Sequence, residues 1–508
     1  MSYRLLVRRG GTLANAAFPF RGGSDKMPLR AKILDPRTGS RAQMSTLKES
    51  VNESIKELPG DDPRDVVFSN LYGLRTIELN RPEKLNALSA SMIRKIVPRL
   101  IEWEKSDLAN VIVMKGNGRA FCAGGDVVTL ATQNMEGPAG QQASVDYFAL
   151  EYKLDHYIAT YKKPYVAFMD GHTMGGGVGL SIHAPFRIAT ERTVFAMPET
   201  RIGFFPDVGA SFFLRRMAGS IGTYLALTGA RLTGANVFYS GIATHYLHST
   251  SLPSLEARLA ELRFKDYDTM EKRLGIIEMT IEEYATGLPP KEPILLSGEI
   301  RHAIDHCFSQ KTVMDVLHAL TEETGPTMEW AKNTLQTLLQ VSPTAIHVAF
   351  KQMRAGRNWS ISETFQKEHQ IAAAFMQHHD FVEGVNAVLI SDEDPKPIPK
   401  WQPESLEAIT ADEHNHIEET FFPETGNAPA LELLTNRNYK EYPYESFGVP
   451  TEEDVKRIVA DHSRTPQEVI DYFVGLKNGR QGIGAIVQEI LTRSTTLNAN
   501  GKATWLFA

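Results

Sequence analysis

Three short segments combine residue types that suit chemistry on a carbonyl compound. Met197-Pro198-Glu199-Thr200-Arg201-Ile202-Gly203-Phe204-Phe205-Pro206-Asp207-Val208-Gly209 sets two carboxylates, Glu199 and Asp207, among apolar residues, prolines and glycines. Gly203 and Pro206 break any continuous helix between them, so a shaped loop is expected. A carboxyl group in apolar surroundings has its pKa raised and suits general acid–base work. Taken alone, the pair reads more readily as ordinary surface or capping acids. The other two segments are glycine-rich: Phe121-Cys122-Ala123-Gly124-Gly125-Asp126 and Gly171-His172-Thr173-Met174-Gly175-Gly176-Gly177-Val178-Gly179. Where such a loop opens a helix, its free N–H groups point at whatever lies in front of them. Amides from two loops aimed at one point make an oxyanion hole. Read singly, each loop could equally be a set of tight turns, and neither fits a nucleotide-binding motif.

The elements that must position these loops can be read from periodicity. Val66-Val67-Phe68 and Leu74 to Leu79 read as two short strands about Leu71-Tyr72-Gly73. Ser89 can cap a helix running to about Lys105, with a kink expected at Pro98. Val111-Ile112-Val113-Met114 and Tyr165-Val166-Ala167-Phe168-Met169 are continuous apolar runs, as in strands buried on both faces. A helix around Tyr147 to Tyr161 separates the two glycine loops. Phe186 to Ile188 and Val194 to Ala196 read as further strands, and from about Ile221 the chain reads mostly helical. Alternating strands and helices imply an α/β architecture. Residues 391–425, rich in acids and prolines, read as a linker or solvated wrap. Thr451 with Asp454, and Thr465 with Glu468, mark helix starts beyond it.

The 508 residues allow two or three domains, and 42% hydrophobic with 23% charged residues excludes wholesale disorder. Two cysteines, Cys122 and Cys307, cannot build a disulfide framework or an all-cysteine zinc site. No metal-ligand cluster is evident. Cys122 reads as a small buried residue, His172 as structural, and His414 and His416 as solvated. The formal charge is −7, yet residues 1–44 carry +7, which leaves −14 for the remainder. An Arg-rich, acid-poor start reads as a mitochondrial targeting segment over residues 1–44.

Together these motifs resemble the crotonase (enoyl-CoA hydratase/isomerase) superfamily and, within it, the 3-hydroxyisobutyryl-CoA hydrolase family. The residues that carry the likeness are Asn80 to Leu88 (NRPEKLNAL), Phe121 to Asp126, Lys163 to Ala167, Thr173 to Gly179, Met197 to Thr200, Phe205 to Gly209 and Gly241 to His245. His379-Asp380-Phe381 with Glu383-Gly384-Val385 completes the set. The resemblance implies an α/β, crotonase-type ββα spiral core, then a helical region. The family-like domain would span residues 66–410, its spiral core reaching about residue 260, with an extra helical extension over 411–508. It also implies an oxyanion hole at Gly125 and Gly176, a catalytic carboxylate at Glu199 acting as base or nucleophile, and a second acid at Asp207. Glu151 matches a substrate-binding glutamate, so the substrate-binding set is Glu151, Gly176, Glu199 and Asp207. No cofactor is implied, because CoA arrives as part of the substrate, and no metal.

Hydratases of the superfamily carry a second glutamate just after the second glycine loop, where this chain has Gly179. Hydrolysis of 3-hydroxyisobutyryl-CoA in the mitochondrial matrix is therefore the expected activity, and 3-hydroxypropionyl-CoA stays open because one methyl discriminates by only about 1–3 kcal/mol. Some fungal relatives of the hydrolase family are components of the mitochondrial ribosome's small subunit. The extension, with its Tyr439 to Glu445 stretch and with Lys477, Arg480 and Arg493, could dock on ribosomal proteins and rRNA. No membrane-spanning run is present.

Overall fold

The computed structural model describes residues 55–423 and 430–506. The targeting segment read at residues 1–44 lies outside them. Two sheets are wound together by a recurring unit in which one strand joins each sheet before a helix returns. The larger sheet has the order β1-β2-β3-β5-β7-β10 and the smaller β4-β6-β8-β9. The strands are β1 (Val66–Leu71), β2 (Leu74–Leu79), β3 (Val111–Gly116), β4 (Ala120–Cys122), β5 (Tyr165–Met169), β6 (His172–Met174), β7 (Phe186–Ala189), β8 (Val194–Ala196), β9 (Leu232–Thr233) and β10 (His245–Tyr246). Within these two sheets β1 with β2, and β8 with β9, run antiparallel; their other pairs are parallel. The steps from β3 to β4, β5 to β6 and β7 to β8 each cross between sheets. Both glycine loops therefore start at the end of the small sheet, just after β4 and β6.

The apolar runs explain the strands. All five residues of β5 and the first four of β3 are buried. Helix Ala90–Lys105, whose Ser89 cap accepts from Met92 N, packs on the neighbouring β1 and β2. Pro98 lies within that helix on its exposed side. Helix Pro138–Ala159 begins well before the expected Tyr147, because Gly137 adopts a positive φ and Pro138 starts the first turn.

The 391–425 stretch differs from a solvated linker. It holds helix Ala411–Phe421, and Trp401, Leu406, Ile417 and Phe421 are buried. Acids dominate its composition, but four well-spaced apolar side chains are enough to seat it. His414 and His416 are exposed, as expected.

The remaining tail is fastened to the body by charge and aromatic contacts. Arg437 grips Glu104 with two bonds of 2.7 Å, and Ile361 N donates to Tyr439 O. Helices Glu452–Val459 and Pro466–Leu476 open with the expected capping boxes, and helix Ile483–Ser494 precedes a small hairpin of β11 (Thr495–Leu497) and β12 (Ala503–Trp505). The docking reading of this tail needs correction on two counts. Tyr439 and Tyr442 turn inward against Phe212. Lys477, Arg480 and Arg493 are used internally: Lys477 Nζ donates to Ser446 O, Arg480 pairs with Glu278 and Glu282, and Arg493 with Glu452 and Glu489.

Candidate active site

The loop Asn80 to Leu88 works as a clamp on the first glycine loop. Asn86, at positive φ, accepts from Arg81 N and donates to Asn117 O and Ala120 O. Its far end forms a short parallel bridge: Leu88 N donates to Gly124 O (2.8 Å) and Asp126 N to Leu88 O (2.9 Å). Arg81 reaches Asp126 at 2.9 Å. These bonds leave Gly124 at φ +124 and present Gly125 toward the second loop.

The second loop approaches closely. Gly175, with φ +45, precedes helix Gly176–Ile182. A β-carbon placed on Gly176 falls 3.2 Å from Gly125 N and overlaps the Glu151 carboxylate. One placed on Gly175 falls 2.9 Å from Glu199 Oε1. Gly125, Gly176, Glu151 and Glu199 thus meet at one place, although β4, β6, helix Pro138–Ala159 and the turn after β8 supply them. Glycine is needed here for close approach and not only for turning.

Glu199 opens a 3-10 turn, Glu199–Ile202, which Gly203 ends in the left-handed region. Helix His379–Val385 packs on this turn. A side chain at Gly203 would meet the Asp380 carbonyl, and one at Gly384 would meet the backbone of Ile202. Asp207 follows on a loop held from behind. Glu368 accepts from Gly209 N (2.7 Å), Ser211 N (2.9 Å) and Ser211 Oγ (2.7 Å). Gln352 donates to Pro206 O and Ser211 Oγ. Ala210-Ser211 is therefore part of the loop's anchorage.

The acids are deeply buried: Glu151 is 2% exposed, Glu199 6% and Asp207 4%. Phe204 stacks on Phe148, and Phe205 on Phe375, which makes the surroundings apolar. Burial pushes the Glu199 and Glu151 carboxyls well above their ordinary range, and the Asp207 charge adds to both. Asp207 is raised less, to about 7, because Tyr152 Oη donates to its Oδ2 at 2.7 Å and favours the anion. The three share protons as a set, and Asp207 holds negative charge most easily. Glu199 Oε2 and Glu151 Oε1 have no hydrogen-bond partner among the described residues. Unsatisfied buried oxygens in such a spot are uncommon and available to a bound molecule. Cys122 is fully buried with its thiol pushed up to about 12, so it offers no thiolate. His172 is half-buried in β6.

Sequence reasoning passed over four neighbours. Tyr147, Glu151 and Asp155 recur every four residues along helix Pro138–Ala159 and so share a face, a spacing that was legible. Tyr147 Oη donates to Leu88 O at 2.8 Å, tying that helix to the clamp. Asp155 is wholly buried, neither of its oxygens has a partner among the described residues, and burial with the Glu151, Asp207 and Glu368 charges pushes it well up. It lies where residue 179 would grow a side chain: a β-carbon there falls 2.6 Å from Asp155 Oδ2 and 2.8 Å from Val208 Cβ. That direction has no room for a glutamate. Tyr152 and Glu368 meet the site only through tertiary contacts. The fold also brings together a trio that the sequence hid, His306, Cys307 and Glu323. They bond to one another, and Thr327 also donates to Glu323, so the trio is largely self-satisfied.

Two interlocked sheets spun from ββα units, with two glycine loops closing on buried acids, define a crotonase-type α/β protein. The chain belongs to the enoyl-CoA hydratase/isomerase family, which matches residues 74–418. It is 55% identical over 97% of its length to the small ribosomal subunit protein mS47 of Neurospora crassa, covering 96% of that protein. It is 43% identical to the mitochondrial 3-hydroxyisobutyryl-CoA hydrolase of Gallus gallus, over 69% of this chain and 87% of that one. Among solved structures, a carnitinyl-CoA dehydratase from Mycobacterium thermoresistibile superimposes with a TM-score of 0.62 at 31% identity, covering 73% of this chain and 99% of that one.

Proposed function

We propose that this chain hydrolyses a 3-hydroxyacyl-CoA thioester, 3-hydroxyisobutyryl-CoA, in mitochondria. The observation that carries the reading is the meeting of Gly125, Gly176 and Glu199 around one point, beside an acid raised only to about 7. The thioester oxygen would lie between the Gly125 and Gly176 amides, which stabilise the negative charge that develops there. Glu199 would either take a proton from water as it attacks or attack the carbonyl itself. As the C–S bond breaks, the departing thiolate takes a proton from the acid cluster, with Asp207 sharing that proton. Glu151 would receive the substrate's hydroxyl. The products are free CoA and the 3-hydroxy acid. A hydratase role is disfavoured by Gly179, whose side-chain direction is filled by Asp155 and Val208.

Release of free thiol from 3-hydroxyisobutyryl-CoA by the purified full chain tests this. Turnover is expected in the parent, with loss by at least about three orders of magnitude in Glu199→Gln. A parent without turnover on this or the 3-hydroxypropionyl thioester would end the hydrolase reading.

A second reading rests on a separate observation. The relative that this chain matches along nearly its whole length, extension included, is a small ribosomal subunit protein. A structural place in the mitochondrial small ribosomal subunit, with the site retained, accounts for residues that thioester chemistry does not need. Gradient sedimentation of mitochondrial lysate tests it: co-migration with the small subunit supports it, and migration only as a free protein removes it.

A further inference from the structure

Four arginines near the Asp207 loop, three of them half-buried and Arg357 exposed, have no acid within ion-pair distance among the described residues. Arg215 and Arg216 lie on the turn Leu214–Arg216, which packs against the turn Gly356–Asn358 carrying Arg357. Arg354 lies one helical turn before Arg357, at the end of helix Pro343–Ala355. Among the described residues none of the four forms an ion pair, in a chain whose charge is −14 outside residues 1–44.

Their guanidinium groups are placed in two ways. Arg216 and Arg354 are fixed. Arg216 lies 3.5 Å over the Phe212 ring and donates to the Phe212, Trp359 and Lys440 carbonyls. Arg354 lies 3.3 Å over Phe350 and donates to the Phe350 and Gln310 carbonyls. Arg215 and Arg357 make no hydrogen bond to any described residue. Like charge adds to burial: burial and then Arg357 lower Arg215, and burial together with Arg215 brings Arg354 down to about 10.

Arg215, Arg216 and Arg357 open onto one cavity of about 810 Å³. Its acids are committed elsewhere or face Arg216. Glu452 pairs with Arg301 and Arg493, Glu489 pairs with Arg493, and Glu441 and Glu445 act on Arg216. Glu453 is exposed. Arg187, also on the wall, is spent on the Ala184, Gly241 and Ile242 carbonyls. Two uncommitted cations therefore line this cavity, and Arg354 lies close enough to Arg215 for their charges to repel.

We infer that Arg215 and Arg357, backed by Arg354, bind phosphate oxyanions of an RNA backbone, which relieves the mutual repulsion that the fold otherwise leaves in place. The assignment of RNA as the bearer of the phosphate rests on the ribosomal reading. It replaces Lys477, Arg480 and Arg493, whose charges are consumed inside the protein. Guanidinium groups suit phosphate because their donors match two oxygens at once.

The test uses the full chain and a fluorescein-labelled single-stranded RNA of mixed sequence, with anisotropy read across a salt series. In Arg215→Gln/Arg357→Gln, affinity is expected to fall and the slope of log affinity against log salt to become shallower by about 1.4, the share of two contacts on a single strand. The melting temperature should be no lower than the parent's, since no described hydrogen bond is removed. Equal affinity and slope in parent and variant would overturn the site. So would arginine-dependent binding of inorganic phosphate without RNA binding, which would assign the groups to a small free anion. The ribosomal reading fails separately. Arginine-dependent RNA binding in a chain that never sediments with small subunits would defeat that reading and leave the site. Co-sedimentation that survives alongside unaltered RNA binding in the variant would defeat the site and leave the reading.

Discussion

Glu199 and Gly176 show what single residues carry here. A methyl group on Gly176 would overlap the Glu151 carboxylate and press on Gly125 N. Gly176→Ala is therefore expected to lower kcat on the thioester by roughly 100-fold or more, about 3 kcal/mol, with the fold kept by thermal melting. The acid set also predicts a pH limb. Asp207, raised to about 7, keeps the proton it shares with the departing thiolate below that pH and loses it above, so activity should fall as pH rises through about 7. Tyr152→Phe removes the hydrogen bond that favours the Asp207 anion and should move this limb to higher pH, seen in kcat/KM against pH. Asp155 gives a prediction in stability. Its folded pKa is raised, so its contribution is greatest at acid pH and is lost as pH rises toward that folded value. Asp155→Asn should be more stable than the parent at pH 8, by on the order of 1 kcal/mol or more, with the difference shrinking toward pH 4. Equal melting curves at both pH values would contradict it. The sequence revealed Glu199, Asp207 and the two glycine loops because their types are unusual in such company. It concealed Asp155 and Glu368, because an acid on a long helix looks the same whether its face meets water or core.

Among elements, the most consequential contact joins the tail to the candidate site. Tyr442 Oη donates to Ile182 O, at the end of the helix that Gly176 opens, and lies 3.3 Å from His183 Nδ1. His183 is held neutral by burial, down to about 4, so its Nε2 carries the proton given to Val208 O. Val208 adjoins Asp207. One tyrosine thus braces both helix Gly176–Ile182 and the loop that carries Asp207. Tyr442→Phe is expected to cost about 1 kcal/mol of stability and to lower kcat more than it changes KM, measured by melting and steady-state assay. The strands and capped helices of the core were legible because buried parallel strands are continuous apolar runs and caps use few residue types. The inward turn of Tyr439 and Tyr442 was not. An aromatic and charged stretch has the same composition on a docking surface as in a cleft, and only the Phe212 ring and the His183 pair decide between them.

For the whole molecule, the tail behaves as a structural part of the body. Arg437 with Glu104, Arg480 with Glu278 and Glu282, and Tyr442 with His183 all cross from the tail to the family domain. A chain ending at Asn436 would leave Glu104, Glu278 and Glu282 without their arginines, and His183 and Phe212 uncovered. It is expected to aggregate or melt without a cooperative transition, by calorimetry, and a stable active fragment would contradict that. Charge distribution at this scale was only partly readable from sequence. The acidic total was plain, but which arginines are committed to partners depends on pairings made across hundreds of residues. The central claim is that two loop amides and Glu199 surround one electrophilic carbon. A crystal structure of the chain with a non-hydrolysable ketone analogue of 3-hydroxyisobutyryl-CoA, in which a methylene replaces the thioester sulfur, tests it most directly. The carbonyl oxygen is expected about 2.7–3.1 Å from both Gly125 N and Gly176 N, with its carbon facing the Glu199 carboxylate. An analogue bound with that oxygen away from either amide, or with Glu199 turned from the carbon, would contradict it.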